Sequence, residues 1–437
     1  MRSMLMLVIV VIGASDILGI DIGLAPGLSV KNALLYVGIG LLLMQRAVTG
    51  RPHLQMVWMQ AAFLLLVVYA IGSLVLNIVI LQLPGYRPVN QLITLKTQLI
   101  DRFVLFVLFF YAARSHTDVQ RVLTCLLVVI ALGSVFTITN VAGLTSIGNT
   151  TYGADNEVEG GRIFGYFGHA NETGTLLALL LPAYMAMSDR SRGIARAAWI
   201  FAVAATALML VMTGSRSALL GLVIGAGGVA FAYRRLFPRA GVRRWLLRAI
   251  TVLVPAMLVM GWQYVQGLAE RVALQASGPV ADASSGRTEL WTDALEAMLS
   301  SPWTLLSGFG WGGWDAHNFR YVAHNNYLSY WFDLGLPGLV LLLVLLIGAC
   351  LAARRALQHA QPGDRGQLIA FIAGMAALLI SMAFQTLFSP WPYIWAYIAL
   401  MMRLALLQTG PVEATRPAPV VGPRVITAAP VTALRRS

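Results

Sequence analysis

Residues 56–80, MVWMQAAFLLLVVYAIGSLVLNIVI, run for 25 positions without a charged side chain. A helix rising 1.5 Å per residue needs ~20 apolar residues to cross the hydrocarbon of a bilayer, so this stretch reads as a membrane span. Similar runs recur along the 437 residues, which are 58% apolar and 11% charged, with a mean hydropathy of +0.74. A single water-soluble core is excluded. The sequence predicts an all-α polytopic integral membrane protein with about twelve transmembrane helices, near residues 4–20, 31–46, 56–80, 98–113, 121–143, 168–187, 196–212, 217–233, 248–265, 337–353, 366–384 and 390–407.

The net charge of +13 invites a nucleic-acid reading, but its distribution points to topology. With the N-terminus inside, 22 of the 31 Lys and Arg fall on the cytoplasmic side and 14 of the 18 Asp and Glu opposite. That is the positive-inside pattern, and no nucleic-acid partner is expected. The segment Tyr233–Arg248 alone carries Arg234, Arg235, Arg239, Arg243, Arg244 and Arg248, which also suit anionic membrane lipids. Arg2 ahead of the apolar Met4–Ile12 resembles a signal peptide, yet an uncleaved first helix keeps both termini cytoplasmic. Two cysteines, Cys125 and Cys350, exclude a disulfide framework or a cysteine metal cluster. One transmembrane domain is expected over 1–407, followed by a disordered cytoplasmic tail, 408–437, rich in Pro, Ala and Val.

Two outward connections are long, about 144–167 and about 266–335, and the chemistry is expected there. In the second, Leu290 to Leu299 has apolar residues at helical spacing with Asp293 and Glu296 on the other face, bounded by Pro302: an amphipathic helix. Arg287 falls in its first turn, where free N–H groups and the helix dipole already favour an anion. A guanidinium there makes a phosphate site, or else snorkels to lipid headgroups. Arg216, in Thr213-Gly214-Ser215-Arg216-Ser217, belongs at the outer surface near a helix start, facing a polar cavity and a partner. Arg162 follows Asp155-Asn156-Glu157-Val158-Glu159 and either pairs with that acidic stretch or adds a ligand contact.

Among the outward histidines, His169 opens span six, with Glu172 the odder residue beside it, and His317 sits in an irregular loop. His324 begins a short helix sharing a face with Tyr327, Leu328, Trp331 and Leu334, broken at Gly335-Leu336-Pro337-Gly338. A neutral imidazole hung there over a membrane cavity suits a general base. Trp291, Trp303, Trp311, Trp314 and Trp331 are five of the eleven tryptophans. Interfacial belts account for Trp291 and Trp331, while the glycines around Trp311 and Trp314 are expected to expose those rings to sugar faces.

Taken together, Thr213-Gly214-Ser215-Arg216-Ser217, Gly286-Arg287 with Trp291, Gly308-Phe309-Gly310, His324-Asn325-Asn326-Tyr327-Leu328 and Gly335-Leu336-Pro337-Gly338 resemble the O-antigen ligase family, over about Phe164 to Ala356. The resemblance implies a GT-C-like glycosyltransferase of the bacterial inner membrane with its active site facing the periplasm. Its members move a glycan from undecaprenyl diphosphate to lipid A-core, with no cofactor and no obligatory metal. On that footing Arg216 and Arg287, with Arg162, hold the diphosphate, and His324 deprotonates the acceptor hydroxyl in an inverting displacement. Asn325, Tyr327, Trp311, Trp314 and Asn171 contact acceptor or glycan. The family also holds polysaccharide polymerases and protein O-oligosaccharyltransferases, so the acceptor stays open.

Elementary chemistry agrees with such a reaction. A departing pyrophosphate gains negative charge, which fixed guanidinium groups stabilise in place of a metal ion. A rival from another class is a lipid-linked sugar transporter, for which Asp101-Arg102 in span four would be the coupling pair. Transporters put such charges at mid-bilayer between related halves, whereas here the polar residues gather in the loops.

Overall fold

The computed structural model describes residues 1–20, 22–49, 57–146, 163–233, 287–317, 319 and 321–409. These residues form an all-α bundle whose one sheet is a short hairpin, β1 (Gly23–Ala25) and β2 (Leu28–Ser29). The helices are α1 (Arg2–Leu18), α2 (Val30–Val48), α3 (Trp58–Leu76), α4 (Pro88–Leu95), α5 (Asp101–Ala112), α6 (His116–Val141), α7 (Ala170–Arg190) and α8 (Gly193–Met212). They continue as α9 (Arg216–Gly221), α10 (Gly227–Ala232), α11 (Arg287–Leu299), α12 (Pro302–Ser307), α13 (Gly313–Ala316), α14 (Asn326–Ala356), α15 (Pro362–Met382) and α16 (Trp391–Thr409). Wider π turns extend α3 over Asn77–Leu81 and join α4 to α5 and α9 to α10.

Helices occupy eleven of the twelve apolar windows; the window 248–265 and the tail from 410 lie outside the described residues. Five helices among the described residues are long and apolar enough to cross a membrane: Trp58–Leu81, His116–Val141, Gly193–Met212, Asn326–Ala356 and Pro362–Met382. The less apolar α7 and α16 are largely enclosed by protein. All but one residue of α7 from Ala170 to Ser188 is buried, so its Glu172, Thr173 and Thr175 meet protein rather than lipid.

Small residues let the central helices touch. A Cβ added to Gly374 of α15 would lie 2.0 Å from Leu179 O of α7, and one on Gly221 of α9 would lie 2.5 Å from Ala377 O. In lipid, where apolar burial drives helices together only weakly, such close backbone approach supplies the packing. Asp101 and Arg102 are adjacent in α5 but serve different partners. Asp101 accepts from Tyr36 and, at 3.0 Å, from Lys96 Nζ, while Arg102 Nη2 donates 2.7 Å to Phe388 O and lies over the Trp391 ring.

At one end of the bundle, His116 Nε2 sits 2.8 Å from both Asp364 oxygens, Arg190 Nη1 lies 3.5 Å from Oδ1, and Gln408 Nε2 donates to Oδ2 at 3.0 Å. This ties α6, α7, α15 and α16 together around one buried carboxylate. The opposite ends of α7 and α15 carry the candidate site.

Candidate functional site

Arg216 is placed by a turn that only small residues can make. Gly214 adopts φ +57°, Thr213 Oγ1 caps back onto Leu210 O at 2.6 Å, and α9 then begins with Arg216. The turn lies directly on α7, because a Cβ on Gly174 would come within 2.8 Å of the Ser215 Cβ. This sets the exposed Arg216 beside the first turn of α7, where exposed His169 is the N-cap and Asn171 and Glu172 follow. Both Glu172 oxygens are occupied by main-chain amides, of Phe388 (3.1 Å) and Ser389 (3.0 Å).

Arg287 is the first residue of α11, the expected amphipathic helix. Leu290, Ala294 and Met298, four residues apart, pack into a cluster with Phe309, Trp314, Leu328 and Phe332, while Asp293 and Glu296 are exposed. Docking this face lays Arg287 over the bundle, where Nη1 donates 2.8 Å to Phe384 O. Burial, and after it repulsion from Arg216, lowers the Arg287 pKa below its ordinary value. An arginine remains protonated under such pressure, so the two guanidinium groups form a cationic pair held together by the fold.

His324 departs from the expected position in one respect: it precedes the helix rather than beginning it. Its backbone is left-handed (φ +49°), and Asn325 is the N-cap of α14, its Oδ1 accepting from Tyr327 N (3.0 Å) and Leu328 N (3.1 Å). A non-glycine residue at positive φ carries strain that its surroundings must hold in place. The imidazole is half-buried, and its pKa falls to about 4, first through burial, then through Arg287 and His169. At neutral pH it is an unprotonated base. The expected break is present, since Gly335 adopts φ +64°, ψ −170° inside α14.

The reading of Trp311 and Trp314 as exposed rings is corrected. Each is only 6% exposed. Gly308, Gly310 and Gly312 all have positive φ and serve close approach instead: added Cβ atoms would lie 2.4 Å from Gly335 N, 2.7 Å from Ser73 O and 2.2 Å from Gln91 Cδ. The loop thus nests against α3, α4 and the α14 break, and its rings turn inward. Trp291 and Trp331 likewise pin the loop, donating Nε1 to Ala323 O (2.7 Å) and Leu305 O (3.0 Å).

Of the remaining expected site residues, Asn325 is committed as a cap and Tyr327 donates its hydroxyl to Leu379 O at 2.6 Å. Asn171 lies in the first turn of α7 beside the cluster. Arg162 and the acidic stretch before it fall outside the described residues. His317 is structural, stacked on Phe319 and edge-on to Phe309 and Phe332.

Sequence reasoning missed the connector between α15 and α16, Ala383 to Pro390. Its carbonyls hold Arg287 (at Phe384) and Arg102 (at Phe388), its amides hold Glu172, and Leu387 N donates to Asn326 Oδ1 at 3.4 Å. It braces the arginine face and the His324 segment at once. The gathered groups offer two guanidinium groups and a neutral imidazole from three distant stretches of chain, an arrangement able to hold a polyanionic leaving group beside a base.

A family model described as O-antigen ligase matches residues 201–343, a span that includes Arg216, Arg287 and His324. No curated protein matches the chain.

Proposed function

Because residues 201–343 make this chain a member of the O-antigen ligase family, we propose that it transfers a glycan from undecaprenyl diphosphate to lipid A-core at the periplasmic face of a twelve-span bundle. The observation that carries this reading is electrostatic: His324 lies in the field of Arg287, and Arg287 in the field of Arg216. Two like charges gathered beside a base suit a ligand carrying the opposite charge.

The His324 lone pair takes the proton of the acceptor hydroxyl. The oxygen attacks the anomeric carbon, and the carbon–oxygen bond to the diphosphate breaks from the opposite face. Its electron pair stays on the diphosphate, where Arg216 and Arg287 receive it; a unit charge at 4 Å is stabilised by about 4 kcal/mol at an effective dielectric of 20. The configuration inverts, and the imidazolium returns its proton to solvent or to the leaving group. Energy comes from the donor bond. Donor binding also offsets the repulsion that Arg287 exerts on the imidazole, raising its basicity when the acceptor is to be activated.

The test is transfer by the full chain in proteoliposomes, with a purified lipid-diphosphate donor and lipid A-core, in excess EDTA. Transfer is expected, and it is lost in Arg216→Ala, Arg287→Ala and His324→Ala with membrane insertion intact. Offering a second glycan chain as acceptor separates ligase from polymerase. Retention of more than a tenth of wild-type turnover by His324→Ala would remove the imidazole from the chemistry.

A further inference from the structure

Beside the Asp364 cluster, at the end of the bundle away from His324, an open groove of about 510 Å³ runs along α6 between Met6 of α1 and Arg190 at the close of α7. Its floor is a single helix face, on which His116, Gln120, Thr124 and Val128 follow at intervals of four. Twelve residues at 1.5 Å each make that floor ~18 Å long. The volume falls in the ~300–1,000 Å³ range of pockets that take organic ligands, and a lone inorganic ion would not fill it.

The floor changes character along its length. It is polar from His116 to Thr124, and beyond Cys125 it is apolar, with exposed Val128 leading on to exposed Leu132 on the same face. Some of the polar groups are already engaged. His116 faces Asp364, Gln120 exchanges hydrogen bonds with Gln367 at 2.6 and 2.8 Å, and Arg190 lies 3.5 Å from Asp364 with 37% of its side chain exposed. Arg121 is different. It is exposed and makes no hydrogen bond or ion pair among the described residues, and neither do the hydroxyls of Thr117 and Thr124, one helical turn to either side of it. No carboxylate is among the described lining residues, and Asp118 on the same helix is turned to Arg2 at 3.6 Å.

A guanidinium flanked by hydroxyls offers several donors to the oxygens of one anion, and a phosphate matches that fork. The apolar half asks for a chain. The floor descends from the helix start into the apolar run 121–143, and Val128 and Leu132 stay open on it, so the groove continues sideways into hydrocarbon. A soluble anion would leave that half empty. The chain's own tail does not fit, since residues 408–437 carry Arg416, Arg424, Arg435 and Arg436 against Glu413 alone, the same sign as the groove. Topology accounts for an arginine at this end of the bundle, but not for an uncovered groove beneath it that turns from hydroxyls to apolar side chains.

We propose that this groove binds an anionic phospholipid of the leaflet at this end of the bundle, its phosphate on Arg121 and Arg190 and an acyl chain along Cys125 and Val128. The site neither uses nor depends on the transfer reaction.

The test uses the two thiols of the chain, Cys125 on the groove floor and Cys350 in α14 as internal control. The purified full chain in non-ionic detergent is titrated with phosphatidylglycerol, with phosphatidylcholine of the same chains, and with glycerol phosphate. Alkylation of each cysteine by N-ethylmaleimide is followed by mass spectrometry, and native mass spectra of the same titrations count bound lipid independently. Phosphatidylglycerol is expected to slow alkylation at Cys125 and not at Cys350, with half-occupancy at about a tenth of the concentration that phosphatidylcholine needs. Arg121→Gln should raise that concentration about 10-fold, the order of one charge-assisted hydrogen bond, with the Tm of the lipid-free protein unchanged. Equal binding of the two lipids, or wild-type behaviour of Arg121→Gln, overturns the site and leaves ordinary boundary lipid. Protection by glycerol phosphate at the same concentrations overturns the lipid in favour of a soluble anion, and binding of none of the three overturns both.

Discussion

The two ends of the bundle handle charge in opposite ways. Around Asp364, one buried carboxylate is met by His116, Arg190 and Gln408, so four helices close on a neutralised centre. At the far ends of α7 and α15, Arg216 and Arg287 repel each other, Arg287 leans on a carbonyl, and the nearby carboxylate Glu172 is already held by two amides. Balanced charges fasten the fold. Charges of one sign kept close repel each other, and an anion bound between them is favoured.

The sharpest way to break this contrast is substitution. His324→Ala and Arg287→Ala are expected to lower kcat by about 10²- to 10⁴-fold, the range of a lost general base or transition-state contact, with thermal stability unchanged in detergent. Replacement of Arg216 or Arg287 by Lys is next in size: a point charge lacks the paired donors of the guanidinium fork, and transfer is expected to fall about 10- to 100-fold.

Acidity gives a subtler test. Since the His324 pKa is depressed to about 4 by burial, Arg287 and His169, the free protein keeps a neutral imidazole above that pH and loses its base only below it. The acidic limb of kcat/KM is therefore expected near pH 4, and that of kcat at higher pH, because bound diphosphate cancels part of the cationic field. Coincident limbs would argue against a diphosphate beside the imidazole. The smallest effect on turnover is expected at the opposite end. Asp364→Asn should leave transfer within about threefold while lowering stability by roughly 1–3 kcal/mol, as His116 and Arg190 lose their counter-charge; thermal unfolding of the purified protein checks it.

Much of this architecture is written in composition. Lipid imposes a length and an apolarity on each helix, so the windows are readable without neighbours, and the turn before Arg216 and the amphipathic face of α11 follow from local pattern. The connector from Ala383 to Pro390 escapes such reading for a physical reason: it works through main-chain carbonyls and amides, which every residue type supplies. Arg102 escapes because neighbouring residues on a helix point in different directions, so its adjacency to Asp101 suggests a pair that the coordinates divide between Lys96 and Phe388. The tryptophans mislead because glycine has two uses. Around Trp311 it admits a neighbouring backbone rather than baring a ring.

The mutual contact of Gly308 and Gly335 has a mechanical consequence. Gly335 interrupts α14, and a Cβ there would sit 2.1 Å from Leu306 O, so the outer half of the helix is clamped to the loop rather than carried by the half below. Bilayers of different thickness tilt spanning helices, yet this joint uncouples such tilting from the imidazole. Turnover should accordingly vary little across vesicles of short and long acyl chains.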